Sequence, residues 1–179
     1  MPSQKKKTTL RLITAEDLYR FHLVTSCEIS PDGSQVVYAL QHADQKTEKK
    51  FSNLWIVPTA GGDPRQVTFG DQLDSQPRWS PQGDRLAFVS NRKEEKQPQL
   101  YILPLSGGEA RPLNELQGEI GYYEWSPDGK QLVLQFRKKD AEAVEREKDD
   151  HKKELGIVSR HIRRVFYKLD GYGYLPVER

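Results

Sequence analysis

The sequence predicts an all-β chain organised as an open, partial β-propeller of four-stranded antiparallel blades, with a short N-terminal helix and a charged insertion in the third blade. Three observations predict it. The tetrapeptide Ser-Pro-(Asp/Gln)-Gly occurs three times, at Ser30–Gly33, Ser80–Gly83 and Ser126–Gly129, with its prolines 50 and 46 residues apart. Gly61-Gly62 and Gly107-Gly108 keep the same beat, 46 residues apart. Short runs rich in Val, Ile, Leu, Phe and Tyr flank every corner, which is strand composition. A four-stranded meander repeating every 40 to 50 residues marks a propeller blade, and such a blade needs neighbours to cover its faces. An antiparallel sandwich with recurring turns is the competing architecture.

In chain order, Thr14 with Asp17 three residues on forms a capping box that opens a short helix, with Leu18 and Phe21 expected to supply apolar contacts. The helix is read as a structural dock at a domain edge. Blade 1 takes about residues 24–70: Ser26–Ile29, the first Ser-Pro corner, Gln35–Leu40, a longer loop, Asn53–Val57, the Gly-Gly turn and Arg65–Thr68. Blade 2, about 74–114, repeats the order with Pro77–Trp79, Arg85–Ser90, Gln99–Leu105 and Ala110–Leu113. Blade 3, about 120–179, begins with Tyr123–Trp125 and Gln131–Phe136. Residues 1–23 form the tail and capping helix, and 24–179 the propeller portion. At each corner Pro presets φ near −65°, Asp or Gln takes the next position, and Gly supplies the positive φ that returns the chain.

Composition narrows the function. Net charge is +2, with 28 Lys and Arg against 26 Asp and Glu, so the basic excess of a general nucleic-acid binder is missing. One cysteine, Cys27, rules out an internal disulfide framework, and it is expected to be a packed core thiol. The longest apolar run, Val36–Leu40, is far below the roughly 20 residues of a membrane span. The basic start leads into no apolar segment, so no signal peptide is visible and a cytoplasmic location is expected.

At these repeats the chain resembles TolB-type propellers and the N-terminal propeller of the prolyl oligopeptidase family of serine peptidases, in its acylaminoacyl- and dipeptidyl-peptidase branch. The opening Leu12–Tyr19 leading to Ser30–Gly33, and the stretch Arg163–Tyr174 with its Tyr-Lys-x-Asp-Gly-x-Gly core, are similar to segments of that branch. The resemblance implies a propeller set over an α/β-hydrolase domain that cleaves short peptides, the propeller restricting access by size. No catalytic residue carries over, because Gly-x-Ser-x-Gly, which exposes a nucleophilic serine on a strand-to-helix turn, does not occur. Two complete units and part of a third fall short of the four to eight that typically close a ring. The chain is therefore expected to be the N-terminal part of a longer protein, with the hydrolase domain and short peptides as partners. A homo-oligomer is left open, and a TolB-like protein-interaction module without an enzyme is the alternative.

The stretch 138–160 carries six bases and seven acids between Lys138 and Glu154, which suits a solvated surface insertion or a flap. Arg163, Arg164 and Tyr167 lie in the densest basic-aromatic segment and are the candidate substrate contacts, since a planar guanidinium can hold a carboxylate or carbonyl bidentately. No metal or cofactor is expected. His151 and His161 lack zinc spacing, and Gly171-Tyr-Gly173 lacks its third glycine. Trp55, Trp79 and Trp125 are read as inter-blade packing at matching strand positions.

An open set of blades leaves apolar faces and strand edges uncovered. The isolated chain is therefore expected to self-associate or to show partial disorder in light scattering and circular dichroism. A monomer with a sharp cooperative melt would contradict this.

Overall fold

The computed structural model describes residues 11–140 apart from 96 and 114, with 144–146, 148–149, 151, 154, 168–169 and 173–174. Two four-stranded antiparallel meanders and part of a third follow one another, and no described sheet closes on itself. Blade 1 comprises β1 (Leu23–Ile29), β2 (Gln35–Ala43), β3 (Lys50–Pro58) and β4 (Arg65–Gln66), hydrogen-bonded in that order. Blade 2 repeats it with β5 (Asp74–Trp79), β6 (Arg85–Ser90), β7 (Gln99–Pro104) and β8 (Arg111–Pro112). The third unit contains the hairpin β9 (Gly118–Trp125) and β10 (Leu132–Lys138). Short strands β11 (Lys168–Leu169) and β12 (Gly173–Tyr174) pair with each other.

The Ser-Pro corners work by one hydrogen-bond scheme. In the first, the Gly33 N–H donates to the Ser30 carbonyl at 2.8 Å with Gly33 at φ 72°, a conformation costly for any residue with a Cβ. The Ser30 hydroxyl accepts the Gln35 N–H at 2.9 Å and donates to Asp32 at 2.6 Å, which with the Ser34 N–H holds the Asp32 carboxyl down at about 2. Ser126, Asp128 and Gln131 repeat this at 2.6 and 2.9 Å. In blade 2 the acid has moved: Gln82 occupies the aspartate position, and Ser80 donates instead to Asp84 at 2.7 Å. The released Gln82 amide reaches the Asp128 carbonyl of the next corner at 3.1 Å.

The core lies between blades. On β6, successive side chains serve opposite neighbours, as strand alternation requires. Leu86 and Phe88 join Val37, Ala39, Leu54 and Ile56 of blade 1, whereas Ala87 and Val89 pack with Tyr123 of the third unit. A strand covered on both faces explains why the run Leu86–Ser90 is uniformly buried. Where the blade 1–blade 2 linker turns, the fully buried Asp74 carboxylate receives Arg92 at 3.0 and 3.1 Å and the Gln72 amide at 3.2 Å. The Arg92 guanidinium also lies over the rings of Phe88 and Tyr101, at 5.1 and 4.9 Å.

Three expectations are corrected. Cys27 is exposed rather than a core thiol. It pairs with Tyr38 on the β1–β2 ladder, on the blade 1 face that no described blade covers. Trp55 does not match Trp79 and Trp125, because it stands on β3 opposite Tyr38 on that same open face. The N-terminal element is a 3₁₀ helix, Ala15–Arg20, whose Asp17 carboxylate accepts the Thr14 N–H at 2.9 Å, but Leu18 and Phe21 remain exposed. Of the charged stretch 138–160, residues 144–146, 151 and 154 are helical.

Removing Arg92 leaves a fully buried carboxylate without its counterion, so Arg92→Ala should lower unfolding free energy by about 3–5 kcal/mol in urea titrations. A change below about 1 kcal/mol would show the pair to be incidental.

Candidate functional site

The first strands β1, β5 and β9 lie side by side, and each carries an irregularity in its pairing with its neighbour: between Val24 and Ser26, between Ser75 and Arg78, and opposite Leu134–Phe136. Pro77 cannot donate to a ladder and Gln76 sits at φ 52°, so β5 bulges there. The bulge frees Gln76 backbone groups for the adjacent blades. Its N–H donates to the Ser26 hydroxyl at 3.2 Å, and its carbonyl accepts the Tyr123 hydroxyl. Burial raises the Tyr123 pKa, so this phenol remains a donor.

Beyond the bulges the three strands come into register. Trp79 and Trp125, each directly before a Ser-Pro corner, donate their indole N–H to the carbonyls of Glu28 and Arg78 in the preceding blade, both at 3.3 Å. The residues two places before each Ser-Pro therefore form one row across three blades: Glu28, Arg78 and Glu124. Arg78 stands 3.8 Å from Glu28 and 3.7 Å from Glu124, ionic contacts too long for hydrogen bonds. Its guanidinium lies over the Tyr122 ring at 5.5 Å, and the Tyr122 hydroxyl donates to Glu124, which raises the Tyr122 pKa. Glu28 accepts the Trp79 N–H at 2.6 Å. Burial nevertheless raises the Glu28 pKa, outweighing the Trp79 hydrogen bond and Arg78, with Glu124 adding repulsion.

A concavity of about 810 Å³ lies at the blade 1–blade 2 seam, between the loops after β2, β4 and β6. Lys49, Phe51, Leu73 and Arg92 line it, and the Lys49–Glu95 pair at 3.0 Å spans it. Among the described residues no group of three or more His, Cys, Asp or Glu could hold a metal ion, and no helix is long and apolar enough to cross a membrane. Arg163, Arg164 and Tyr167 lie outside the described residues. The Glu28–Arg78–Glu124 row was missed in the sequence, although stacking the three Ser-Pro corners in register exposes it as one column reading Glu, Arg, Glu.

Repeated blades joined by repeated contacts agree with the comparison to known families, where a model described as the TolB beta propeller domain matches residues 13–161. The chain belongs to the TolB β-propeller domain family. Among curated proteins it is 37% identical over 83 residues to the uncharacterized peptidase YuxL of Bacillus subtilis, covering 46% of this chain and 13% of that protein. It is 34% identical over 79 residues to dipeptidyl-peptidase 5 of Porphyromonas gingivalis, covering 44% of this chain and 12% of that one. This TolB-family chain thus spans about an eighth of the curated relatives it matches. Among solved structures, the Pyrococcus horikoshii acylaminoacyl peptidase superposes with a TM-score of 0.59 at 19% identity, over 88% of this chain and 22% of that one. The β-propeller domain of the Trilobed protease from Pyrococcus furiosus, described as having an open velcro topology, gives 0.52 at 23% identity, over 64% of this chain and 34% of that one. Both show the fold.

A raised carboxyl pKa means the folded state binds the proton more tightly than the unfolded chain. The Glu28 contribution is therefore most favourable below the ordinary carboxylate range and is lost as pH rises through the raised value. Glu28→Gln keeps an acceptor for the Trp79 N–H without the charge. It should raise the melting temperature at pH 7 and flatten its dependence between about pH 4 and 7. A lower melting temperature at pH 7 would reverse this account.

Proposed function

We propose that this chain is the non-catalytic propeller portion of a serine-type peptidase acting on short peptides, and that it shapes access to an α/β-hydrolase domain of the same parent protein. The observation that carries the reading is the pairing of an open propeller with two curated relatives that bear peptidase names. The sequence supports it through the absence of a nucleophile elbow, since a chain without Gly-x-Ser-x-Gly needs its chemistry supplied elsewhere. Access control follows from architecture. Blades stacked about a line leave their first strands facing a shared passage, and side chains there are the ones a peptide meets. A cytoplasmic setting is part of the proposal.

The TolB relationship favours a second reading, a protein-interaction module with no enzyme attached. The gene beyond the codon for Arg179 separates the two. A downstream Gly-x-Ser-x-Gly in a hydrolase region selects the peptidase, and further blades followed by a stop select the module.

The chain itself should give no turnover of chromogenic acylaminoacyl and dipeptidyl substrates. Hydrolysis sensitive to a serine-directed inhibitor would overturn the assignment.

A further inference from the structure

We propose that the open face of blade 1 is a self-association surface, on which two copies of this chain pack blade 1 against blade 1 about a twofold axis. The proposal does not rest on the peptidase reading above.

The strand register defines the surface. Val36 stands between Ile29 and Val57 on one rung, Tyr38 between Cys27 and Trp55 on the next, and Leu40 opposite Val24 on a third. Partners across a ladder share a face, so these side chains make one sheet surface, with no charged group on any of the three rungs. Blade 2 covers the opposite face, that of Val37, Ala39, Leu54 and Ile56. The helix Ala15–Arg20 touches β2, yet Val24, Cys27 and Ile29 remain exposed.

What can cover this face follows from how the same face of blade 2 is built. There Leu86 and Phe88 are buried against blade 1, but polar groups work beside them. Trp79 gives its indole N–H to the Glu28 carbonyl, and the buried Asp74 carboxylate is held by Arg92. In register, blade 1 carries Ile29 at the place of Trp79, Val24 at that of Asp74 and His42 at that of Arg92. Both directional devices are therefore missing, and apolar side chains stand in the indole and carboxylate positions. A partner for this face must bring an apolar, uncharged surface of its own.

The front of the third unit, the other open sheet face among the described residues, does not meet that requirement. Glu124 stands opposite Val133 there and Glu119 opposite Arg137, all exposed, with Glu119 and Arg137 paired. Laid on blade 1, it would bury these charges against Val36, Tyr38 and Trp55, at a desolvation cost with nothing to offset it. Head-to-tail joining of copies is thereby disfavoured. The same face of a second copy does fit, because an isologous contact sets one patch against itself and this patch carries no charge to repel its twin. Two such sheets pack about 10 Å apart with strands about 30° from parallel. Three strands make a small patch beside the roughly 1,200 Å² at which specific interfaces begin, so the dimer should be weak, with a dissociation constant on the order of 10 μM.

The test is sedimentation velocity of the 179-residue chain between about 1 and 100 μM, with the reaction of Cys27 with a maleimide followed in parallel. A monomer–dimer equilibrium is expected, and Cys27 should react more slowly as the dimer fills. Ile29→Lys and Trp55→Glu should each raise the dissociation constant at least about tenfold, since each puts a charge into the apolar contact. Val133→Glu, at the front of the third unit, should leave it unchanged.

Circular dichroism melts show whether each variant is folded, and Cys27 protection in the unaltered chain reads the surface independently of any variant. A monomer at every concentration would assign the face to a different partner and overturn the proposal. Growth past the dimer that Val133→Glu suppresses would assign it to the third unit of a neighbouring copy, with the same consequence. Equal Cys27 reactivity in monomer and dimer would place the contact elsewhere and overturn it too.

Discussion

The architecture depends on how one blade is fixed to the next, because no blade has an interior of its own. The joint combines an apolar interface with a small set of directional bonds at the first strands. Trp79 buries its indole between blades, Trp125 partly does, and each places its N–H on a carbonyl of the preceding first strand. Gln76, displaced from the ladder by a bulge, ties to Ser26 on one side and Tyr123 on the other. Hydrophobic burial supplies most of the cohesion, but it is non-directional and would tolerate sliding. The hydrogen bonds fix the register, since a one-residue slip would leave partly buried donors and acceptors such as the Trp79 and Trp125 indoles and the Tyr123 hydroxyl unpaired.

This joint explains the charged row. Once the indoles lock consecutive first strands two residues before each Ser-Pro corner, whatever occupies that position must meet its counterpart in the neighbouring blade. Like charges in adjacent blades would repel across a partly desolvated gap. The alternation Glu28, Arg78, Glu124 satisfies that constraint and leaves a surplus of negative charge. Glu28 bears the cost, being the more buried of the two carboxylates, and its raised pKa reports it. Blade 1 breaks the pattern at its open face, where Ile29 stands at the position of Trp79 and Trp125 and is 57% exposed.

Much of the fold was legible in the sequence because its corners are local chemistry. A Ser-Pro-Asp-Gly tetrapeptide closes through bonds among Ser30, Asp32, Gly33 and Gln35, all within six residues, so its spacing reports the period of the structure directly. Even the substituted corner was readable, since Asp84 takes over for Gln82 two positions later. The candidate site was far less legible. Its charges are contributed by residues about 50 and 46 positions apart. The basic-aromatic density at Arg163, Arg164 and Tyr167 drew attention to a different segment, because local density is visible in a sequence and inter-blade register is not. Cys27 and Trp55 depart from the expectation of buried packing for a related reason. Strand periodicity tells which residues share a face, but not whether another sheet covers it.

The sequence by itself determined the repeat, the strand order within each blade, and the absence of a nucleophile elbow, all of which are written in residues close together along the chain. Only the tertiary structure decided which blade faces are covered, that β5 bulges at Gln76 to reach both neighbours, and that Glu28, Arg78 and Glu124 meet. Those outcomes arise from packing between units, where burial and the need to satisfy each displaced backbone group act over distances that no local pattern encodes.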